Sequence, residues 1–267
     1  SLASLDEAVV GMTTDGSYLQ VSGDHCQFNV DGIARYRIEQ GQRILVDPAP
    51  GSAPGDVRLF LIGSAFGALL HQRGCLPLHV SSVATPAGVW AFTGDSAAGK
   101  STLAAALHFH FDWPLLSDDV GIIDSGDQDN QPLFHPGPPR LKLWQDAVAH
   151  FAIDPSGLIP DLTRINKFHL PLARGFESEP RRLRALVVLE RANDEESPSV
   201  NKVNGLAAFK VVAGTVYRPE MGQLLGDRNV LFRQCAALAS QITVYRYRRP
   251  WSLATLDDSL MPLFRQI

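Results

Sequence analysis

Eight consecutive residues, Gly94-Asp95-Ser96-Ala97-Ala98-Gly99-Lys100-Ser101, carry the clearest chemistry in the chain. Two glycines five positions apart, followed by lysine and a hydroxyl residue, have the spacing of a phosphate-binding loop. Glycine lets the backbone turn sharply and approach a ligand with no Cβ in the way. The N–H groups of the loop and of the next helix's first turn then point at phosphate oxygens. Lys100 is expected to reach the β- and γ-phosphates, and the Ser101 hydroxyl to ligate Mg²⁺. Thr102, next in the helix, is counted with the nucleotide-binding residues 94–101. The expected ligand is therefore a nucleoside triphosphate, ATP or GTP, with Mg²⁺.

Asp118-Asp119 follows at a distance that suits the same chemistry, flanked by Leu115-Leu116 and Val120-Gly121-Ile122. A strand ending in a carboxylate beside such a loop is where these proteins hold their metal. Two carboxylates allow a division of work, one in the metal shell and one accepting the proton of an attacking hydroxyl. Consecutive side chains leave a strand in opposite directions, so a single shared role is not expected. Arg140 and Lys142 are two apart and would share one strand face, a candidate binding place for a phosphate or carboxylate. Arg164 and Lys167 are weaker candidates of that kind. The arginine runs at 181–184 and 246–249 read as solvated faces flanking apolar strands.

The surrounding pattern supplies elements to position these groups. Residues 8–47 alternate apolar and polar in short segments at 18–21, 27–30, 34–38 and 43–46, the signature of a small antiparallel sheet. Asp56 reads as the N-cap of a helix over 57–72. Strands are expected over 78–85 and 88–93, the second running straight into the phosphate loop, with a helix from Lys100 to about His110. Strand pieces at 115–116 and 120–123 bracket the aspartates, and 124–139 reads as a polar loop. A strand at 182–190, a helix at 229–240, a strand at 242–247 and a helix at 256–264 complete an α/β pattern. The expected division is a small β-rich region over 1–55 and a phosphate-loop core over 56–267.

Composition narrows the partners. The 267 residues carry 24 Lys and Arg against 28 Asp and Glu, which argues against a surface devoted to nucleic acid. No apolar run has the length of a membrane span. The three cysteines are widely spaced and odd in number, with no zinc pattern, so reduced thiols and a cytoplasmic location are expected.

Leu78-His79, the loop opening Gly94-Asp95-Ser96, and Leu116-Ser117-Asp118-Asp119-Val120 together resemble the HPr serine kinase/phosphorylase family. The stretch around Arg218-Pro219 is similar to that family's C-terminal Arg-Pro loop. The resemblance covers roughly residues 75–250 and implies a fold related to the phosphoenolpyruvate carboxykinase core. It implies that Asp118 is the base on a substrate hydroxyl and Asp119 a metal partner beside Ser101. It places His79 at the reaction centre, Arg218 at the transferred phosphoryl group, and Arg140 where the family's signature carries an arginine. It also implies a homo-oligomer.

The family's Glu-Ile-Arg-Gly-type signature is replaced here by Pro138-Pro139-Arg140-Leu141-Lys142-Leu143-Trp144, and Thr102 stands where those enzymes carry Glu. These departures point away from HPr as acceptor and toward a divergent branch that includes lasso-peptide precursor kinases. The expected activity is a kinase acting on a serine hydroxyl of a peptide or small protein. The alternatives are a small-molecule kinase on the same fold, or a nucleotide-gated regulatory module that hydrolyses slowly. An open groove would suit a peptide and a closed cavity a metabolite.

Overall fold

The computed structural model describes residues 2–3, 9–12, 18–124, 131–161, 164–193, 195–225 and 228–267. The chain divides into two compact units, Ser1–Pro77 with Val216–Gln234, and Leu78–Thr215 with Cys235–Ile267. This corrects the expected boundary at residue 55. The helical segment after it buries Ala65, Ala68 and Leu69 against the N-terminal sheet, and so belongs with that sheet.

The first unit is built on an antiparallel meander of β1 (Val9–Met12), β2 (Tyr18–Ser22), β3 (His25–Val30), β4 (Ala34–Glu39) and β5 (Arg43–Pro48). Four of these strands fall where the alternation places them. β1 carries no comparable alternating signal, and is held by pairing Val9 with Val21 and Met12 with Tyr18. Period-two patterning brings Leu19, Phe28 and Tyr36 into one cross-strand row, and the Phe28 and Tyr36 rings stack 5.0 Å apart. Met221, from helix Pro219–Leu225, packs into the same core.

The expected single helix is interrupted. It starts with Pro54 in its first turn rather than at an Asp56 cap, as α1 (Pro54–Phe60). It then widens into a π-helical turn, Leu61–Ala65, and resumes as α2 (Phe66–Gln72). A Cβ on Gly67 would lie 2.9 Å from the Tyr217 ring, so this small residue makes room for an aromatic side chain against the helix.

The second unit carries the phosphate loop. β6 (Leu76–Leu78) straddles the division. Beyond it, β7 (Ser81–Thr85) and β8 (Gly88–Thr93) pair antiparallel, with a break at His79 and Val80 where one strand was expected. α3 (Lys100–Phe111) follows the loop. β9 (Leu115–Asp118) pairs β7, and β10 (Gly121–Asp124) pairs β11 (Leu133–His135). β12 (Arg140–Trp144), α4 (Gln145–His150), β13 (Ile159–Asp161) and β14 (Arg164–Pro171) follow, the three strands forming a separate sheet ordered β12-β14-β13. β15 (Arg181–Arg191) runs parallel to β8 and to β17 (Thr243–Arg249), while β16 (Ser199–Val203) pairs β17 antiparallel. α5 (Gly205–Thr215) lies between β16 and the return of the chain to the first unit.

β15 is a near-continuous apolar run because a strand inside a parallel set is covered on both faces. The middle of α3 is apolar on every face, and Leu103 through Leu107 are fully buried between the main sheet and β12. The expected polar loop 124–139 contains β11, whose Phe134 is fully buried; residues 125–130 of that loop lie outside those described. A Cβ on Gly121 would fall 2.3 Å from the Phe134 ring and 2.8 Å from Val80. Gly121→Ala should therefore destabilise the fold by about 2 kcal/mol, read as a lower thermal midpoint. An unchanged midpoint would show that this contact can relax. Among the described residues no helix is long and apolar enough to cross a membrane.

Candidate active site

Strand β8 delivers the chain into the loop with three positive φ angles, at Gly94 (140°), Ala97 (67°) and Gly99 (82°). A side chain at Gly94 would meet the Leu189 carbonyl at 2.9 Å, so glycine is needed there for conformation and for space. Gly99 in the left-handed region ends the loop as the N-cap of α3. Positive φ angles in such a turn are the conformation in which a phosphate-binding loop forms its concave backbone, although the Ala98 N–H here donates to the Asp95 carbonyl at 3.1 Å. Lys100 folds over the loop and donates to the carbonyls of Gly94 (2.8 Å) and Asp95 (3.0 Å). Burial lowers its pKa, opposed by the negative charges of Asp119 and Asp118. Its amine is placed to exchange two neutral acceptors for phosphate oxygens, a stronger charge-assisted bond.

Asp118 ends β9 and is buried. Its Oδ1 accepts from Ser101 Oγ at 2.7 Å and from Ser81 Oγ at 2.5 Å, and its Oδ2 accepts the Lys142 backbone N–H at 2.6 Å. Asp119 lies just past the strand at φ 97° and faces a different set of partners. Lys142 Nζ is 2.6 Å from its Oδ2, and His79 Nδ1 is 3.4 Å from its Oδ1. His79 Nδ1 also lies 2.9 Å from the Asp119 carbonyl, which can only accept, so Nδ1 carries the proton. Burial pushes the Asp119 carboxyl up, but Lys142 and His79 outweigh it and hold the pKa down at about 2. Burial lowers the pKa of His79 against the pull of Asp119.

Asp119 was expected beside Ser101 in one metal shell; its side-chain contacts here are with Lys142 and His79. Ser101 meets Asp118, because β9 aims its last side chain at the start of α3 while the left-handed residue after it turns away. Lys142 is the partner that sequence reasoning missed as part of this centre. Its signal was the alternation Arg140, Lys142, Trp144 on one strand face, which β12 now places beside the aspartates.

Arg140 shares that face and is half-buried, and its Nε has no hydrogen-bond partner. Across the strand pair, Lys142 is opposite His169 and Trp144 opposite Lys167, whose ammonium sits 5.6 Å from the Trp144 ring centre. Burial, then the charges of Arg140, Lys142 and Lys167, depress the pKa of His169. The side chain of Arg164 lies outside those described. Beyond Trp144 an open depression of about 470 Å³ is lined by Trp144, Gln145, Asp146, Ala149 and Asn166. Arg218 belongs to the other unit, at φ 52°, where its Nη2 donates to Ser64 Oγ at 2.9 Å.

Two hard oxygen donors, Ser101 Oγ and Asp118 Oδ1, thus converge at the mouth of the loop. Mg²⁺ takes few protein ligands and keeps phosphate oxygens and waters for the rest, so this donor set fits it. Among the described residues no group of three or more His, Cys, Asp and Glu is placed to hold a metal.

No family model matches the sequence. No curated protein matches it either. Among solved structures, the Hpr(Ser) kinase/phosphatase from Coxiella burnetii is similar over 71% of this chain and 90% of that one. The identity is 13% and the TM-score 0.35, too loose a likeness to assign an activity.

Proposed function

We propose that this protein is a phosphotransferase that uses ATP or GTP with Mg²⁺ to phosphorylate a hydroxyl. The observation that carries this reading is the convergence of Ser101 and Asp118 at 2.7 Å beside the Lys100 loop, with a second, ionised carboxylate alongside. Nucleotide binding alone does not call for Asp119, Lys142 and His79 held together at that place. When bound, Mg²⁺ would neutralise phosphate charge during transfer.

Ser101 and Asp118 would hold the metal, and Lys100 the β- and γ-phosphates. Asp119 would orient the acceptor hydroxyl and accept its hydrogen bond. Its low pKa suits a loose transition state, in which positioning matters more than proton abstraction. Lys142 keeps that carboxylate charged, and His79 fixes its direction.

For the acceptor we favour a serine of a peptide or small protein. The depression beyond Trp144 is open rather than enclosed and continues from the strand that carries Lys142, so an extended chain could lie along it. The resemblance to lasso-peptide precursor kinases makes a peptide ending in serine the first acceptor to try. The test incubates the protein with γ-labelled ATP or GTP, Mg²⁺ and such peptides. Label on the peptide is the expected result. Label released only as inorganic phosphate, at a rate indifferent to peptide, would overturn the kinase reading in favour of a nucleotide-gated hydrolase.

A further inference from the structure

The run 246–249 is not uniformly a solvated face. Arg246 and Arg248 reach outward to Glu190 and Glu196, but Arg249 is only 3% exposed. It is the last residue of β17, paired in register with Arg191 at the end of β15. β8, β15 and β17 are parallel, so their C-terminal ends lie along one edge, the edge from which the phosphate loop springs. Ligands of open α/β sheets bind at that edge.

The guanidinium reaches the loop itself. A Cβ on Gly99 would stand 2.9 Å from Arg249 Nη2, so the absence of a side chain at Gly99 admits the arginine as well as the loop's turn. Its own contacts leave the charge unanswered. Nη1 donates to the Pro250 carbonyl at 3.2 Å, and the buried Nε has no partner. Among the described residues no carboxylate lies in ion-pair range, and burial lowers its pKa with only Tyr247 opposing. A buried guanidinium with no anion is costly to keep, and its planar fork matches phosphate oxygens.

We infer that Arg249 binds the nucleotide's phosphate chain, as a second cation delivered from β17 to the Gly99 side of the loop. The inference rests on the nucleotide-binding reading above, but Arg249 itself lies outside the motifs that led to it. The opposing role is a structural strut that props the loop, and the two predict opposite effects on the empty protein. Removing an unanswered buried charge leaves the ligand-free fold as stable or more stable, whereas removing a strut weakens it.

The experiment compares wild type, Arg249→Met and Arg249→Lys by thermal unfolding without ligand and by titration with ATP, inorganic tripolyphosphate and adenosine. We expect an equal or higher ligand-free midpoint for Arg249→Met. Its affinity for ATP and tripolyphosphate should fall about 10- to 100-fold, as for loss of a charged hydrogen bond. Arg249→Lys should fall between, and adenosine binding should not change. A lower ligand-free midpoint would identify a strut and overturn the inference. Unchanged ATP affinity would overturn it as well, and so would weaker ATP binding with tripolyphosphate unaffected, which marks a base or ribose contact. Failure of wild type to bind either phosphate ligand would sink the nucleotide reading itself.

Discussion

Asp118→Asn should lower phosphoryl transfer on the order of 10³-fold while nucleotide affinity changes far less. The amide keeps the volume and an oxygen for the Ser101 hydroxyl, but its NH2 faces the Lys142 N–H that Oδ2 accepted. A loss of about 1–3 kcal/mol of stability is therefore expected, and the variant's thermal midpoint is measured alongside. The amide lacks the negative charge that would hold a divalent cation next to Ser101. The measurement is kcat with the best peptide acceptor, beside the affinity for ATP titrated in Mg²⁺ and in its absence. A Mg²⁺-dependent gain in ATP affinity is expected in wild type and should shrink in the variant. Transfer within tenfold of wild type would remove Asp118 from the reaction.

Lys142→Met should have the next largest effect and acts through Asp119. The lysine side chain is only 10% exposed, and its ammonium lies 2.6 Å from Asp119 Oδ2. Without it the carboxylate keeps its burial and loses its main opposing charge, so its pKa should rise from about 2. Breaking a partly buried pair in this way should cost about 2 kcal/mol of stability. In wild type the depressed Asp119 pKa contributes stability that is fully present above the ordinary value of 3.8 and is lost as pH falls toward about 2. The variant should lack most of that acid-side dependence. Transfer should fall about 100-fold at neutral pH, with the acid limb of the rate profile moved to higher pH. A profile superimposable on wild type would show that Lys142 does not set the charge of Asp119.

The parts of this site written in consecutive residues could be read from the sequence. The loop 94–101 needs glycines at fixed places because φ angles and close approach demand them, and those demands leave a local trace. Asp118 and Asp119 were legible as a pair, but not their partners, because the direction of each side chain depends on where β9 stops. Lys142 and Arg249 were less legible still. Both come from distant strands, and their charges resemble ordinary surface charge until a sheet brings them inward. The same held for the fold: strands with clean alternation appeared in place, whereas β1, β11 and the β12-β14-β13 sheet depend on partners far along the chain. The aromatic contact that Gly67 accommodates comes from Tyr217, remote in sequence.

The first unit is assembled from two separated stretches, with Met221 sealing a core begun by Leu19 and Phe28. On the ribosome its sheet and helices emerge early, but the segment that closes its core emerges only after all of 78–215. The sheet must therefore persist with an open apolar face while residues 78–215 are being made. Completion of the second unit also waits for Cys235–Ile267, which supplies β17 and with it Arg249. Each unit is closed by a segment that follows part of the other, so neither can finish as an independent module while the chain is being made.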